Sequence, residues 1–316
     1  MTVDMPAIAG ENHSPLSAQP QLKGPDHFPW LYPYSTKEDA EALWRDVEKL
    51  ELHRQVAELE IKGLTVVPPE KFVGPERIHR ALEAVLNVVE RRFGFRPELE
   101  GDSHDNRTAP WELVHYLLLE DPVFQEIVVH PVTMALVTHL LGRNACLSSV
   151  MGLIKGPGGD ELELHNDSHL IPPPLPSYVQ VCNATVALTD YTLEGGPVCY
   201  VPGSHRLHRN PIFPEGHKER VAVEVPAGSL IFWGGNVWHG AIPRTAAGLR
   251  VNLLLFFARP HLRPEELYRY DVTPEMLGEM DPRFRTLLGF NIGYGWGKSG
   301  PSREPGLNFV SRSAFD

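Results

Sequence analysis

From Gly142 onward the apolar residues stop recurring at helical spacing and fall into short runs of two-residue period, which limits the possible folds more than any other feature of the chain. The runs are Leu147 to Ile154, Tyr178 to Thr189, Val198 to Val201, Val221 to Val225, Ser229 to Trp233, Val237 to Ile242 and Arg250 to Ala258. Turn formers separate them, among them Glu194-Gly195-Gly196-Pro197, Pro202-Gly203-Ser204 and Pro226-Ala227-Gly228. Short strands at this spacing predict an antiparallel sandwich or barrel. The expected class is α+β with a mainly β core, flanked by helices from the N-terminal half.

That N-terminal half divides in order. Residues 1–34 carry six prolines from Pro6 to Pro33 and few spaced apolar residues, so an irregular arm is expected. Ser35, three before Glu38, suggests a capping box that opens one helix running to Ile61, with Gly63 as its C-cap. Leu64 to Val67 reads as a short strand stopped by Pro68-Pro69. A second helix is predicted from Pro75 to Arg92, closed by Gly94, and a third helical region from Trp111 to Leu141, with breaks at Asp121-Pro122 and His130-Pro131. After Pro260 come two helical pieces, Pro264 to Tyr270 and Pro274 to Met280, then a Gly-rich stretch from Gly289 to Gly300. Residues 35–316 are thus expected to form one domain: a helical flank (35–142), a β core (143–262) and C-terminal helices and loop (263–316).

Composition narrows the function classes. A chain of 316 residues with 42% apolar content supports a real core, and a net charge of −11 argues against nucleic acid or an anionic membrane as partner. Cys146, Cys182 and Cys199 are odd in number, widely spaced and set in apolar runs. They predict buried free thiols rather than disulfides or structural zinc. Residues 1–20 lack a basic segment followed by an apolar one, and no run of 18 apolar residues occurs, so neither a signal peptide nor a membrane span is expected. A cytoplasmic location is the expectation.

The chemistry concentrates in Glu161-Leu162-Glu163-Leu164-His165-Asn166-Asp167-Ser168-His169. Gly156-Pro157-Gly158-Gly159 before it and Pro172-Pro173-Pro174 after it leave no room for a helix. In an extended run His165 and Asp167 share a face and can address one metal ion. His239, in Asn236-Val237-Trp238-His239-Gly240-Ala241, supplies a third donor. Two neutral imidazoles and one carboxylate, with positions left open, form the facial set of non-haem Fe(II) oxygenases, which leaves room for a chelating co-substrate and O2. Arg250 lies 11 residues beyond His239 and heads an apolar strand on which it shares a face with Asn252, Leu254 and Phe256. It points either into the barrel mouth or to solvent; if inward, its guanidinium can grip a carboxylate bidentately. Other residues compete less well. His217-Lys218-Glu219 sits among charges, His205 and His208 lie in a basic turn, and Arg244 follows Pro243 in another turn. His169 has the spacing of a helical zinc ligand to His165, but the prolines forbid that helix. Phe232, Trp233 and Trp238 either line a pocket near His239 or fill the core.

These residues resemble the phytanoyl-CoA dioxygenase-like branch of the Fe(II)/2-oxoglutarate-dependent oxygenases. Three features carry the likeness: His165-x-Asp167; Asp190-Tyr191-Thr192-Leu193-Glu194-Gly195-Gly196-Pro197 leading into Val201-Pro202-Gly203-Ser204-His205-Arg206; and His239 followed by Arg250. The likeness covers about residues 143–260. It implies a double-stranded β-helix (jelly roll), iron held by His165, Asp167 and His239, and 2-oxoglutarate bound through Arg250, with Asn166 and Thr185 near the co-substrate. It further implies conversion of 2-oxoglutarate and O2 to succinate and CO2, coupled to oxidation of a C–H bond. Halogenating relatives carry a small residue in place of the carboxylate, and Asp167 disfavours that chemistry. A small, largely apolar substrate is expected from the lack of a basic cluster and the aromatic residues near His239. A silent jelly-roll binding protein and a zinc hydrolase using the same ligands remain open at this level.

Overall fold

The computed structural model describes residues 37–100, 111–158, 161–168, 171–290, 296–297 and 300–301. The N-terminal arm, Ser35, His169 and most of the Gly289 to Gly300 stretch lie outside them.

Two antiparallel sheets form the body. The larger has six strands in the order β1 (Leu64–Val67), β8 (Leu230–Gly234), β5 (Val181–Ala187), β10 (Arg250–Ala258), β3 (Cys146–Lys155) and β2 (Trp111–Val114). The smaller has four, in the order β4 (Leu162–His165), β9 (His239–Ala241), β6 (Val198–Tyr200) and β7 (Val221–Ala222). Side chains of both sheets line one cavity between them, the arrangement of a double-stranded β-helix. The strong alternation of the long strands decides which face is which. On β10, Val251, Leu253, Leu255 and Phe257 enter the main core while Arg250, Asn252, Leu254 and Phe256 line the cavity. On β5, Cys182, Ala184 and Val186 face the core and Asn183 and Thr185 the cavity. All three cysteines are buried and free.

Helices cover the core face of the large sheet: α1 (Lys37–Lys49), α2 (His53–Lys62), α3 (Pro75–Phe93), α4 (Pro122–Val128) and α5 (Pro131–Leu141). Ile78, Leu82, Val85 and Val89 form the apolar stripe of α3, and each side chain of this kind contributes about 1.5–3 kcal/mol on burial. Three short helices follow β10: α6 (Tyr268–Asp271), α7 (Pro274–Glu279) and α8 (Phe284–Leu287). Among the described residues no single helix is long and apolar enough to cross a membrane; the bent pair α4–α5 has the composition but lies in the core.

Three expectations are corrected. The first helix is broken into α1 and α2 at Glu51, whose φ of 53° is left-handed, because Leu50 and Leu52 close the end of α1 with bonds to Asp46 O and Val47 O. The Trp111 to Leu141 region does not start as a helix. Trp111–Val114 instead pairs antiparallel with residues 152–155 and forms the far edge of the large sheet. The first C-terminal helix is also shorter than predicted. The Gly63 cap is as predicted: φ is 87°, and its N–H reaches Glu58 O and Leu59 O. A Cβ there would meet Val237 Cγ2 at 2.5 Å, so this glycine also lets the helix end approach the segment leading to His239.

Candidate active site

β4 and β9 bring the first histidine opposite the second. The register pairs His165 with His239 and Leu162 with Ala241, so β4 carries one residue more than β9 between the two pairs. This bulge aims both imidazoles at the cavity with ring centroids 4.4 Å apart. At Gly240 the strands are too close for any side chain, since a Cβ would collide with Leu162 O. Asp167 follows beyond the end of β4. Its N–H donates to Gly235 O at 2.8 Å, tying the run to the turn that leads into β9. The Pro-Gly-Ser-His turn also holds β9, because Ser204 Oγ accepts the Trp238 N–H at 2.9 Å.

Hydrogen bonds fix the donor atoms. His165 Nδ1 lies 2.8 Å from Glu163 O and His239 Nδ1 lies 3.0 Å from Val237 O, so each ring donates from Nδ1 to the carbonyl two residues back. Each Nε2 therefore turns its lone pair to the cavity. Asp167 Oδ1 is 4.0 Å from His165 Nε2 and 3.5 Å from His239 Nε2. Its other oxygen, Oδ2, accepts from Asn183 Nδ2 at 2.8 Å and from Trp233 Nε1 at 3.4 Å. The three donor atoms lie within 4.8 Å of one another, the only such group among the described residues. Carbonyl-oriented imidazoles and an anchored carboxylate are the usual supports of a metal centre.

A cavity of about 490 Å³ is lined by these three residues and by Arg250. Of the two directions open to Arg250, the inward one is taken, and the residue is only 2% exposed. Its Nη1 donates to Gly196 O, and the guanidinium lies over the Tyr191 ring, 4.5 Å from the centroid. Burial raises the Tyr191 pKa against the pull of Arg250, which keeps that ring neutral. Arg250 Nε, Thr185 Oγ1 and both polar atoms of Asn252 are buried here without a protein partner. A group of this kind costs about 1–3 kcal/mol to bury unpaired. Such a cluster fits a ligand that brings its own oxygens. The rest of the wall is apolar, from Leu113, Met151, Leu153, Leu254 and Phe256, with Glu161 and Glu265 among the few polar groups.

The structure thus gathers His165, Asp167, His239, Arg250 and Thr185 at one cavity, but not Asn166. That side chain is occupied in shaping the turn: Nδ2 donates to Asn210 Oδ1 at 2.6 Å, Oδ1 accepts the Ser168 N–H at 2.9 Å, and neither lines the cavity. The lesser candidates separate as well. Trp233 lines the cavity, whereas Phe232 is in the main core and Trp238 in a small cluster beneath the turn. His217 is less exposed than a solvated residue would be, because its Nε2 meets Glu163 at 3.0 Å. His205 contacts Glu60 O, and Arg244 is buried against the carbonyls of Gly195, Ala247 and Gly248. Sequence reasoning missed Asn183 and Lys155, and gave Asn252 and Tyr191 no role. An asparagine alternating with Thr185 inside an apolar strand was the available signal for the first.

The sequence model of the phytanoyl-CoA dioxygenase family matches residues 59–251, more than half of the chain, and takes in all four principal site residues. The chain belongs to the phytanoyl-CoA dioxygenase family. Among curated relatives, "Dioxygenase af480" of Aspergillus fumigatus is 28% identical over 184 residues, covering 57% of this chain and 60% of that protein. "Dioxygenase ALT11" of Alternaria alternata is 28% identical over 167 residues, covering 51% and 52%. The chain therefore spans about half to three-fifths of the length of these relatives. Among solved structures, HygX from Streptomyces hygroscopicus, determined with nickel and 2-oxoglutarate bound, has a TM-score of 0.55 at 18% identity over 67% of this chain and 88% of that one. The non-heme alpha ketoglutarate dependent carbocyclase SnoK from nogalamycin biosynthesis also gives 0.55, at 22% identity over 70% and 91%. At such identities the likeness is one of fold, and it agrees with the double-stranded β-helix expected of a phytanoyl-CoA dioxygenase family member.

Proposed function

We propose that this protein is an Fe(II)/2-oxoglutarate-dependent oxygenase that oxidises an unactivated C–H bond of a small, largely apolar metabolite, with 2-oxoglutarate and O2 converted to succinate and CO2. The observation that carries the reading is one cavity lined by both the His165, Asp167, His239 donor set and the buried Arg250 guanidinium. A 2-oxo dicarboxylate is the ligand that addresses both, since its oxo acid end chelates a metal and its distal carboxylate meets a guanidinium.

Iron bound by the two Nε2 atoms and Asp167 Oδ1 would supply O2 activation. The chain's own residues do the positioning. Glu163 O and Val237 O hold the imidazoles in the tautomer that ligates, while Asn183 and Trp233 hold Oδ2 so that Oδ1 stays turned to the histidines. Thr185 and Arg250 offer the unpaired donors Oγ1 and Nε to the co-substrate. Leu113, Met151, Leu254 and Phe256 exclude water and leave a substrate to be held by shape rather than by charge. Arg244 and Asn166 are kept out of this scheme by their own hydrogen bonds.

The test is anaerobic loading with Fe(II), addition of 2-oxoglutarate and then O2, with succinate measured. Slow succinate formation without substrate, accelerated by an apolar metabolite from a panel of lipophilic acids, terpenoids and aromatics, is the expected result. Hydrolytic activity that persists with zinc in the absence of O2 would replace this reading with a hydrolase.

A further inference from the structure

Beside Arg250 the cavity holds a second buried cation that the scheme above does not use. Lys155 ends β3 directly across from Arg250, the two Cα atoms being paired in the antiparallel register. Cross-strand partners project to the same face, and both side chains line the cavity. Lys155 is 5% exposed. Its Nζ donates to Ile242 O at 2.6 Å, while Arg250 Nη1 donates to Gly196 O. The two carbonyls belong to adjoining segments at the end of the small sheet, joined by the bond from Ile242 N–H to Pro197 O. The two cationic heads are thus anchored side by side at the cavity end farthest along β10 from Phe256.

Neither has a counter-ion. Among the described residues no carboxylate forms an ion pair with Lys155, Arg244 or Arg250, and the protein atoms accepting their hydrogen bonds are backbone carbonyls. Burial pushes the Lys155 ammonium down to about 8, and Arg250 and Arg244 press in the same direction. An ammonium can donate three hydrogen bonds, and Ile242 takes one. Burying cations together without an anion is costly, and the pattern is resolved when a ligand supplies the negative charge.

We propose that Lys155 is the second cation of the co-substrate's distal-carboxylate site, donating to that carboxylate together with Arg250. The proposal rests on the 2-oxoglutarate reading above and adds a residue to it. The competing role is purely structural: Lys155 would brace the large sheet against the small one through Ile242 O and touch no ligand.

The two roles separate by binding rather than turnover. 2-Oxoglutarate and 2-oxopentanoate share the metal-chelating end, but the second ends in a methyl group. Both are titrated calorimetrically, without O2, into wild-type protein loaded with Mn(II), and into Lys155→Gln, which retains a donor for Ile242 O but no charge, and Lys155→Arg, which restores the charge. Lys155→Gln should weaken 2-oxoglutarate by about tenfold or more and leave 2-oxopentanoate within about twofold, with Lys155→Arg recovering most of the loss. An unchanged 2-oxoglutarate affinity, or equal weakening of both ligands, overturns the proposal and leaves the bracing role. If Lys155→Gln fails to fold, a crystal structure of the wild type with Mn(II) and 2-oxoglutarate decides: Nζ within hydrogen-bond distance of the distal carboxylate supports the proposal, and Nζ bonded to Ile242 O alone overturns it. A wild-type protein that ignores 2-oxoglutarate would overturn the functional reading and Lys155 with it; a wild-type protein that binds 2-oxoglutarate no more tightly than Lys155→Gln does would overturn Lys155 alone.

Discussion

The two faces of β10 are made from one stretch of chain and obey opposite rules. Toward the helices, Val251, Leu253, Leu255 and Phe257 are entirely apolar and fully enclosed. Toward the cavity, Arg250 and Asn252 are just as buried, yet carry polar atoms that no protein group meets. The same division runs across β5, where Ala184 and Val186 back onto helices while Thr185 faces inward with an unpaired hydroxyl. A strand's two-residue period lets stability and ligand recognition be written on alternate positions of one element. The helix face should therefore answer to stability measurements and the cavity face to binding measurements, with little crossover.

The sharpest probe is the carboxylate at the metal end. Asp167→Ala removes one of the three donors and leaves Asn183 Nδ2 and Trp233 Nε1 without their acceptor. Succinate formation should fall to background and metal affinity should drop, both read after Fe(II) loading. Retained turnover would break the assignment of this face to catalysis. Arg250→Ala comes next. Two charge-assisted bonds at roughly 1.5–3 kcal/mol each predict a loss of 2-oxoglutarate affinity on the order of a hundredfold or more, with metal affinity nearly unchanged. Equal loss of metal in both variants would contradict the division of labour within the cavity.

On the opposite face, Leu253→Ala should destabilise the protein by about 2–5 kcal/mol, because a fully buried leucine leaves a cavity against the helices. Thermal or denaturant unfolding measures the loss, and 2-oxoglutarate affinity of the remaining folded protein should match the wild type. A comparable loss of affinity would show that the two faces are coupled through the strand.

What could be read from the sequence follows the same line between local and distant determinants. The placing of His165 and Asp167 toward one point, the β period after Gly142 and the Gly63 and Gly94 caps are set by residues within a few positions of one another, and all are found as expected. The strand at Trp111–Val114 is not local: it exists because residues 152–155 offer it an edge, so its four residues carried no period long enough to distinguish it from the helical region that follows. Lys155 was invisible for a related reason. A lysine closing an apolar run reads as a strand end in water, and only pairing with Arg250 and the carbonyl of Ile242, 87 residues away, buries it. Asn166 failed in the other direction. It sits between His165 and Asp167, yet its amide is taken up by Asn210, 44 residues on.

The mildest test bears on the cost of the cavity face. Asn252 is 0% exposed, flanked in register by Leu153 on β3 and Ala187 on β5, and neither Oδ1 nor Nδ2 finds a partner. An unpaired buried amide is destabilising by about 1–3 kcal/mol, whereas leucine has a similar volume and nothing to leave unpaired. Asn252→Leu should therefore leave the ligand-free protein as stable as the wild type or up to a few kcal/mol more so, seen as a raised unfolding midpoint, while weakening 2-oxoglutarate. The gain in midpoint on ligand addition should shrink accordingly, since the stabilisation a ligand brings grows with the logarithm of its affinity. A variant that loses stability without ligand would mean that Asn252 is already satisfied inside the protein, and the contrast between the two faces of β10 would then rest on Arg250 and Thr185 alone.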